Sequence, residues 1–162
     1  MDELLFSKKY YVRKLQKNDI DQKIYGLCSK NHLYYQYCPP YVTRKSIESD
    51  MVALPDNVDF KDKYYVGYFK NEKLIAVLDL IDGYPKKDIL FIGFFMMDIN
   101  IQKNGIGSAI VNELIKYLTT LEYKEVRLGW INGNLQAEHF WIKNGFCPIK
   151  EDRVVLANRT IK

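Results

Sequence analysis

Cysteine and histidine are scarce in this chain, and nothing in it is long and apolar enough to cross a membrane. Three cysteines occur among 162 residues, Cys28, Cys38 and Cys147, with no C-x-x-C pair. An odd count without close pairs argues against a disulfide framework and fits a reducing compartment. His32 and Cys28 stand apart from other metal-donor residues, so no metal site is expected. The longest apolar run, Ile89 to Met97, is broken only by Gly93 and is far too short for a bilayer. Met1 to Phe6 has no basic stretch followed by a long apolar one, so it does not read as a signal peptide, and the expected location is the cytoplasm. No run of five basic residues exists, although 24 basic residues outnumber 20 acidic ones for a formal charge of +4. A nucleic-acid partner normally needs a concentrated basic stripe, so none is expected. The mild positive balance would still favour a phosphorylated ligand.

What remains is an ordinary globular composition, 48% hydrophobic and 27% charged, without repeats, low-complexity tracts or linkers. The length predicts one domain over 1–162. Val12 to Leu15 reads as a short strand. Asn18 or Asp19 then caps a helix to about Lys30. His32 to Tyr41, with four tyrosines and Pro39-Pro40, reads as a structured loop, and Thr43 to Met51 as a short helix. Lys63–Lys70 and Leu74–Ile81 form a hairpin around Asn71-Glu72. Ile89 to Met97 is apolar at nearly every position, which predicts a central strand buried on both faces. From Gly105 the period turns helical, with Ile106, Ile110, Val111, Leu114, Ile115, Leu118 and Leu121 on one stripe. Val126, Leu128 and Trp130 then alternate as a strand. A crossover helix between two strands makes them parallel and right-handed. Asn134 caps a last helix, Gly145 closes it with a left-handed residue, and Phe146 to Leu156 supplies one or two final strands. The fold class is therefore α/β with a mixed sheet, antiparallel early and with one parallel unit in its second half.

The junction between the apolar strand and the amphipathic helix carries the chemistry. Gly105 and Gly107 stand where the helix begins, and glycine lets a ligand or another backbone come close. The first helical amides have no internal partner, and with the helix dipole they favour an anion, phosphate above all. Ser108 adds a hydroxyl and Lys103 a charge. Two familiar phosphate loops fail on residues. A Walker loop needs a Gly-Lys-Ser/Thr ending, and a dinucleotide fingerprint needs a third glycine where Ile110 stands.

Gln102-x-x-Gly105-x-Gly107 resembles the Q/R-x-x-G-x-G/A signature of the GNAT N-acetyltransferase superfamily. Downstream, Asn134-x-x-Ala137-x-x-Phe140-Trp141-x-x-x-Gly145-Phe146 resembles that family's N-x-x-A-x-x-F-Y-x-x-x-G-F ending. The likeness covers roughly 60–150 well. It implies a GNAT-like mixed sheet of six or seven strands, with acetyl-CoA as cosubstrate and an amine acceptor as partner. It further implies that the backbone of the fourth strand, around Phe95, Met96 and Met97, pairs with the pantetheine arm like an added strand. By the same likeness Gln102, Lys103, Asn104, Gly105, Ile106, Gly107 and Ser108 surround the pyrophosphate, and Asn134 and Trp141 approach the cofactor from the last helix. The reaction implied is direct attack of a primary amine in a ternary complex, with a backbone N–H near Met97 polarising the carbonyl.

Three departures stand out. Where many relatives carry a tyrosine acid, this chain has Trp141, whose indole donates a hydrogen bond but is no useful acid. Where relatives keep carboxylates on the fourth and fifth strands, it has Phe91, Gly93 and Gly129. Asp79, Asp82, Asp98, Glu138 and His139 are left as candidates acting through water, and the catalytic residue stays unassigned. The tyrosine cluster, Tyr34 and Tyr35 in particular, either lines the acceptor site or packs under a proline-stiffened loop. The competing reading is a regulatory module that binds acetyl-CoA without transferring it. A homodimer, through sheet edges or exposed aromatics, is compatible with the sequence.

Overall fold

The computed structural model describes residues 1–161. Seven strands form one sheet: β1 (Tyr11–Lys14), β2 (Lys63–Lys70), β3 (Lys73–Asp82), β4 (Ile89–Met97), β5 (Glu125–Ile131), β6 (Cys147–Glu151) and β7 (Val154–Thr160). Their order across the sheet is β1-β2-β3-β4-β5-β7-β6. Every neighbouring pair is antiparallel except β4 and β5. Five helices cover the sheet: α1 (Tyr25–Ser29), α2 (His32–Tyr37), α3 (Arg44–Val52), α4 (Ile106–Leu118) and α5 (Leu135–Lys143).

Local chemistry explains most of these elements. Asn71 and Glu72 both take positive φ, 50° and 68°, the twist a two-residue hairpin needs, and they set Lys70 opposite Lys73. Thr43 and Ser46 build a reciprocal capping box at the start of α3. The stripe on α4 buries Ile110, Val111, Leu114, Ile115 and Leu118. It packs with Val66, Leu78, Leu90 and Leu128 into one core on that face of the sheet. On the opposite face Ile24, Leu27, Ile47 and Met51 pack against Val77 and Met96 as a second core. Burying both faces in this way is what allows the central strands to be almost continuously apolar.

The positions where the structure departs from the sequence expectations matter for function. The stretch read as a loop contains α2. Its short helix is poor in intrinsic propensity, and tertiary contact supplies the stability, with Tyr34 edge-on to Phe94 at 5.5 Å. The helix expected from Asn18 to Lys30 splits into a π-helical turn over Ile20–Ile24 and the short α1. Asp19 does not cap it, because its carboxylate is held by Arg13. The helix from Gly105 ends at Leu118, short of Leu121. β4 is not buried on both faces throughout: Gly93 is exposed, and Phe94 and Phe95 are half-buried.

The cause is topological. β4 and β5 pair only from Ile89 with Glu125 to Ile92 with Leu128, although both strands run on. The register with β3 slips between Asp79 and Leu80, opposite Phe94 and Ile92, so Gly93 is an extra residue in a bulge. A bulge strengthens the local twist, and from there β4 and β5 diverge and open a cleft.

Candidate functional site

That cleft has a volume of about 580 Å³. One wall is β4 from Phe91 to Met97, and the other is Leu128 to Ile131 of β5. Asn134, Ala137, Phe140 and Trp141 of α5 close one side, and Asn31, Tyr34 and Cys38 around α2 close the other. At the mouth stand Gln102, Lys103, Gly105, Gly107 and Ser108.

Backbone alternation defines what β4 offers. Asp98 donates its N–H to Ile75 O at 2.8 Å, on the β3 side. Counting back through the register, Met96 and Phe94 also face β3, so Met97 and Phe95 turn their N–H and C=O toward the cleft. Beyond Ile92 no strand among the described residues pairs with them on that side. The Met97 C=O is taken by Asn31 Nδ2 and Gln102 Nε2, so β4 presents the N–H and C=O of Phe95 and the N–H of Met97 as an open hydrogen-bonding edge inside the protein, one that an extended ligand can complete. Met96 lines the cleft, but its backbone belongs to the ladder with Val77.

The loop at the mouth folds as its glycines dictate. Lys103 and Gly105 take positive φ, 68° and 76°, and Gly105 begins α4 without any side-chain cap. The amides of Ile106, Gly107 and Ser108 thus lack intrahelical partners and carry the positive end of the dipole. Gly107 lines the mouth and is also a packing position. A Cβ there would stand 2.6 Å from Met97 Sδ and 3.1 Å from the Phe140 ring, so this glycine makes room for α4 to close on β4 and α5. Ser108 Oγ accepts from Asn144 Nδ2 at 3.2 Å, which ties the loop to the end of α5. Asn134 caps α5, its Oδ1 accepting from Ala137 N at 3.2 Å, while Nδ2 makes no hydrogen bond to another described residue.

Of the residues singled out in the sequence, Asn104, Ile106 and Tyr35 do not line the cleft, while the other cofactor and acceptor candidates do. Tyr35 packs behind Tyr34 at 4.9 Å and against Tyr41 at 5.2 Å. Burial, with Cys38 beside it, raises the Tyr34 hydroxyl pKa, so it stays protonated and able to donate. Asp79, Asp82, Asp98 and Glu138 are absent from the cleft lining, whereas His139 contributes to it. Asp79 pairs with buried Lys63 at 3.0 Å, and desolvation raises its pKa. Asp82 accepts from Tyr123, and Asp98 caps Asn100 and pairs with Lys73. Sequence reasoning missed Asn31 and Cys38. A lone asparagine ahead of a short helix carries no signal, and its place at the cleft is decided by β4, 66 residues further on.

The sequence profile of the acetyltransferase (GNAT) family matches residues 30–146. The chain belongs to the GNAT acetyltransferase family. As a GNAT chain it is an acyltransferase, and its fold is shared widely. An acetyltransferase from Thermus thermophilus superposes with a TM-score of 0.76 at 14% identity, over 94% of this chain and 97% of that one. The PaiA N-acetyltransferase of Thermoplasma acidophilum, solved in complex with coenzyme A, gives 0.70 at 18%, over 93% and 98%. Spermidine N-acetyltransferase of Vibrio cholerae, in complex with CoA and spermine, gives 0.67 at 17%, over 95% and 96%. Such identities establish a common fold and nothing finer. No curated protein matches the sequence significantly. Within this GNAT cleft, Trp141 is fixed by aromatic packing, 4.9 Å from Phe140, 5.3 Å from Phe146 and 5.9 Å from Phe95. Gly93 and Gly129 line the cleft on the parting strands, and a Cβ would stand 3.0 Å from Asp79 Oδ2 at Gly93 and 2.9 Å from Val154 Cγ1 at Gly129, so neither place has room for a side chain without a shift.

Proposed function

We propose that this protein transfers the acetyl group of acetyl-CoA to a primary amine by direct attack in a ternary complex. The carrying observation is the open edge of β4 leading directly to the uncapped start of α4. An extended amide-bearing arm can pair with the N–H and C=O of Phe95 and with the N–H of Met97, while a pyrophosphate meets the free amides of Ile106 to Ser108 and the charge of Lys103. The fit is supported by the volume of the cleft and by the absence of a side-chain cap at Gly105. When bound, acetyl-CoA supplies the activated acyl group.

The residues of this chain do the rest by position. The Phe95 N–H faces the cleft beside the bulge, where it can stabilise negative charge developing on the carbonyl oxygen. The Met97 N–H, two residues further along the same edge, faces the cleft as well and is the alternative donor. Tyr34 stands across the opening with a hydroxyl that can orient the amine. With no carboxylate lining the cleft, alignment of a neutral amine provides most of the acceleration. A departing thiolate, with a pKa of about 8.5, is protonated readily near neutral pH.

Calorimetric titration with acetyl-CoA, with ATP and NAD as controls, tests the cofactor assignment, and release of free thiol across a panel of amines tests transfer. Selective binding with thiol release supports the proposal. Binding without thiol release from any amine would overturn the transfer and leave a module that binds acetyl-CoA without turnover, the outcome to which the buried Trp141 and the absence of a carboxylate from the cleft lining would then be ascribed. Lys103→Glu should weaken acetyl-CoA binding by about tenfold, as expected for loss of one charge-assisted phosphate contact and its replacement by repulsion. Unchanged affinity would remove the pyrophosphate from this loop.

A further inference from the structure

Asn31 occupies the N-cap position of α2 but does not cap it. Asparagine there ordinarily accepts from an amide in the first turn. Here its side chain turns away from its own helix and is buried, with 8% of the residue exposed. Asn31 Nδ2 donates to Leu27 O at 3.0 Å and to Met97 O at 3.1 Å. Asn31 Oδ1 accepts from Gln102 Nε2 at 2.7 Å, and Gln102 Nε2 also donates to Met97 O at 3.1 Å. One asparagine, one glutamine and one carbonyl thus close a small network joining three segments far apart in sequence. The joint between α1 and α2 carries Tyr34 and the acceptor-side wall. Met97 ends β4. Gln102 opens the glycine loop.

We infer that Asn31 and Gln102 are positioning residues that lock the acceptor-side helix α2 to the pyrophosphate loop, so that cofactor binding at the loop orders the acceptor wall. The inference rests on the assignment of the cleft to acetyl-CoA. Gln102 Nε2 is fully engaged within the protein, which makes this signature residue a strut between two walls of the site. α2 has six residues and no side-chain cap at its start, so it depends on outside contacts for its order. Tyr34 and Tyr35 pack it against the second core and His32 meets Tyr41, while the Asn31 network is the attachment that leads directly to the cofactor loop. Fixing the loop on a ligand therefore reduces the freedom of α2 before any amine arrives. That is a coupling between two sites through a shared, buried hydrogen-bonded element.

The experiment is amide hydrogen exchange with and without CoA, on the wild type and on Asn31→Leu, which keeps the branched shape and removes the three side-chain hydrogen bonds. In the wild type, CoA should slow exchange in residues 32–38 as well as in the loop. In Asn31→Leu, CoA should still protect the loop, with affinity reduced about tenfold, within the usual range of site-to-site coupling, and should no longer protect 32–38. A wild-type α2 indifferent to CoA, or an Asn31→Leu α2 protected as in the wild type, overturns the inference. Gln102→Met cuts the same network from the other side and serves if Asn31→Leu folds poorly. Failure of the cofactor assignment itself reads differently, as absence of CoA binding by calorimetry. In that case the unliganded variants still decide the coupling. Faster exchange in both 32–38 and 102–108 sustains it, and a change confined to the mutated segment refutes it.

Discussion

At the residue scale, the most telling positions are those whose chemistry is used locally. Asp19 is one. Both of its oxygens accept from the Arg13 guanidinium, at 2.8 and 2.9 Å, and one also accepts from Gln16 N at 2.7 Å. The Arg13 hydrogen bonds, followed by the opposing cost of burial, leave its pKa below the ordinary value of 3.8. A carboxyl whose folded pKa is depressed stabilises the fold above its unfolded pKa, and that contribution is lost as pH falls through the folded value. Denaturant unfolding from about pH 6 down to about pH 2 should therefore show an acid-side loss that flattens in Asp19→Asn. The substitution should also cost about 1.5 kcal/mol at neutral pH, as for a hydrogen bond to a charged group. Gly107 is another such position. Gly107→Ala drives a methyl against Met97 and Phe140, and overpacking of this kind costs about 1–3 kcal/mol. Thermal denaturation should show that loss in the absence of any ligand. Lys103→Glu, whose side chain is exposed, should leave stability unchanged, so the two variants separate packing from binding within one loop.

At the element scale, α5 combines a structural and a functional end. Asn134 holds the Ala137 amide, and removing a cap of this kind costs about 1 kcal/mol. Asn134→Ala should lose that stability together with acetyl-CoA affinity. Asn134→Asp keeps an accepting oxygen and should retain stability while still losing affinity, because it replaces the free Nδ2 donor with a charge that repels phosphate. Equal affinity in all three proteins would make Asn134 a cap alone. Elements whose signals are local were legible in advance. The β2–β3 hairpin has its two-residue turn, α4 its stripe and α5 its asparagine start and glycine finish, with Gly145 at φ 89°. Elements without such signals were not. α2 is a tyrosine-rich segment that becomes helical only because Phe94 and the Asn31 network receive it. The π-helical turn before α1 has no local sequence signal either, and the Asp19 carboxylate ahead of it is bound to Arg13 instead of capping it.

At the scale of the whole molecule, the cleft is a consequence of topology. Ligand binding to it should be visible as a global effect. A ligand held a hundredfold above its Kd adds about 2.7 kcal/mol to folded stability. For a chain of this size that is a rise in Tm of about 5–10 °C. Differential scanning fluorimetry with CoA should show this shift, whereas ATP at equal concentration should not produce it. No shift with CoA would count against the assignment of the cleft.

Local sequence was enough to set the order of strands and helices after Lys63, the parallel unit around α4 and the glycine loop at its start. Each of these follows from periodicity, turn chemistry and the orphaned amides of a helix end, all of which act over a few residues. Which backbone groups face the cleft was set only on folding, since that depends on where the β3 register slips around Gly93 and where β5 leaves β4. Folding also made Gly107 a packing glycine, fixed Trp141 in an aromatic cluster, and left the candidate carboxylates out of the cleft lining. Those outcomes rest on contacts between residues tens of positions apart, and no local pattern records which distant side chain will arrive.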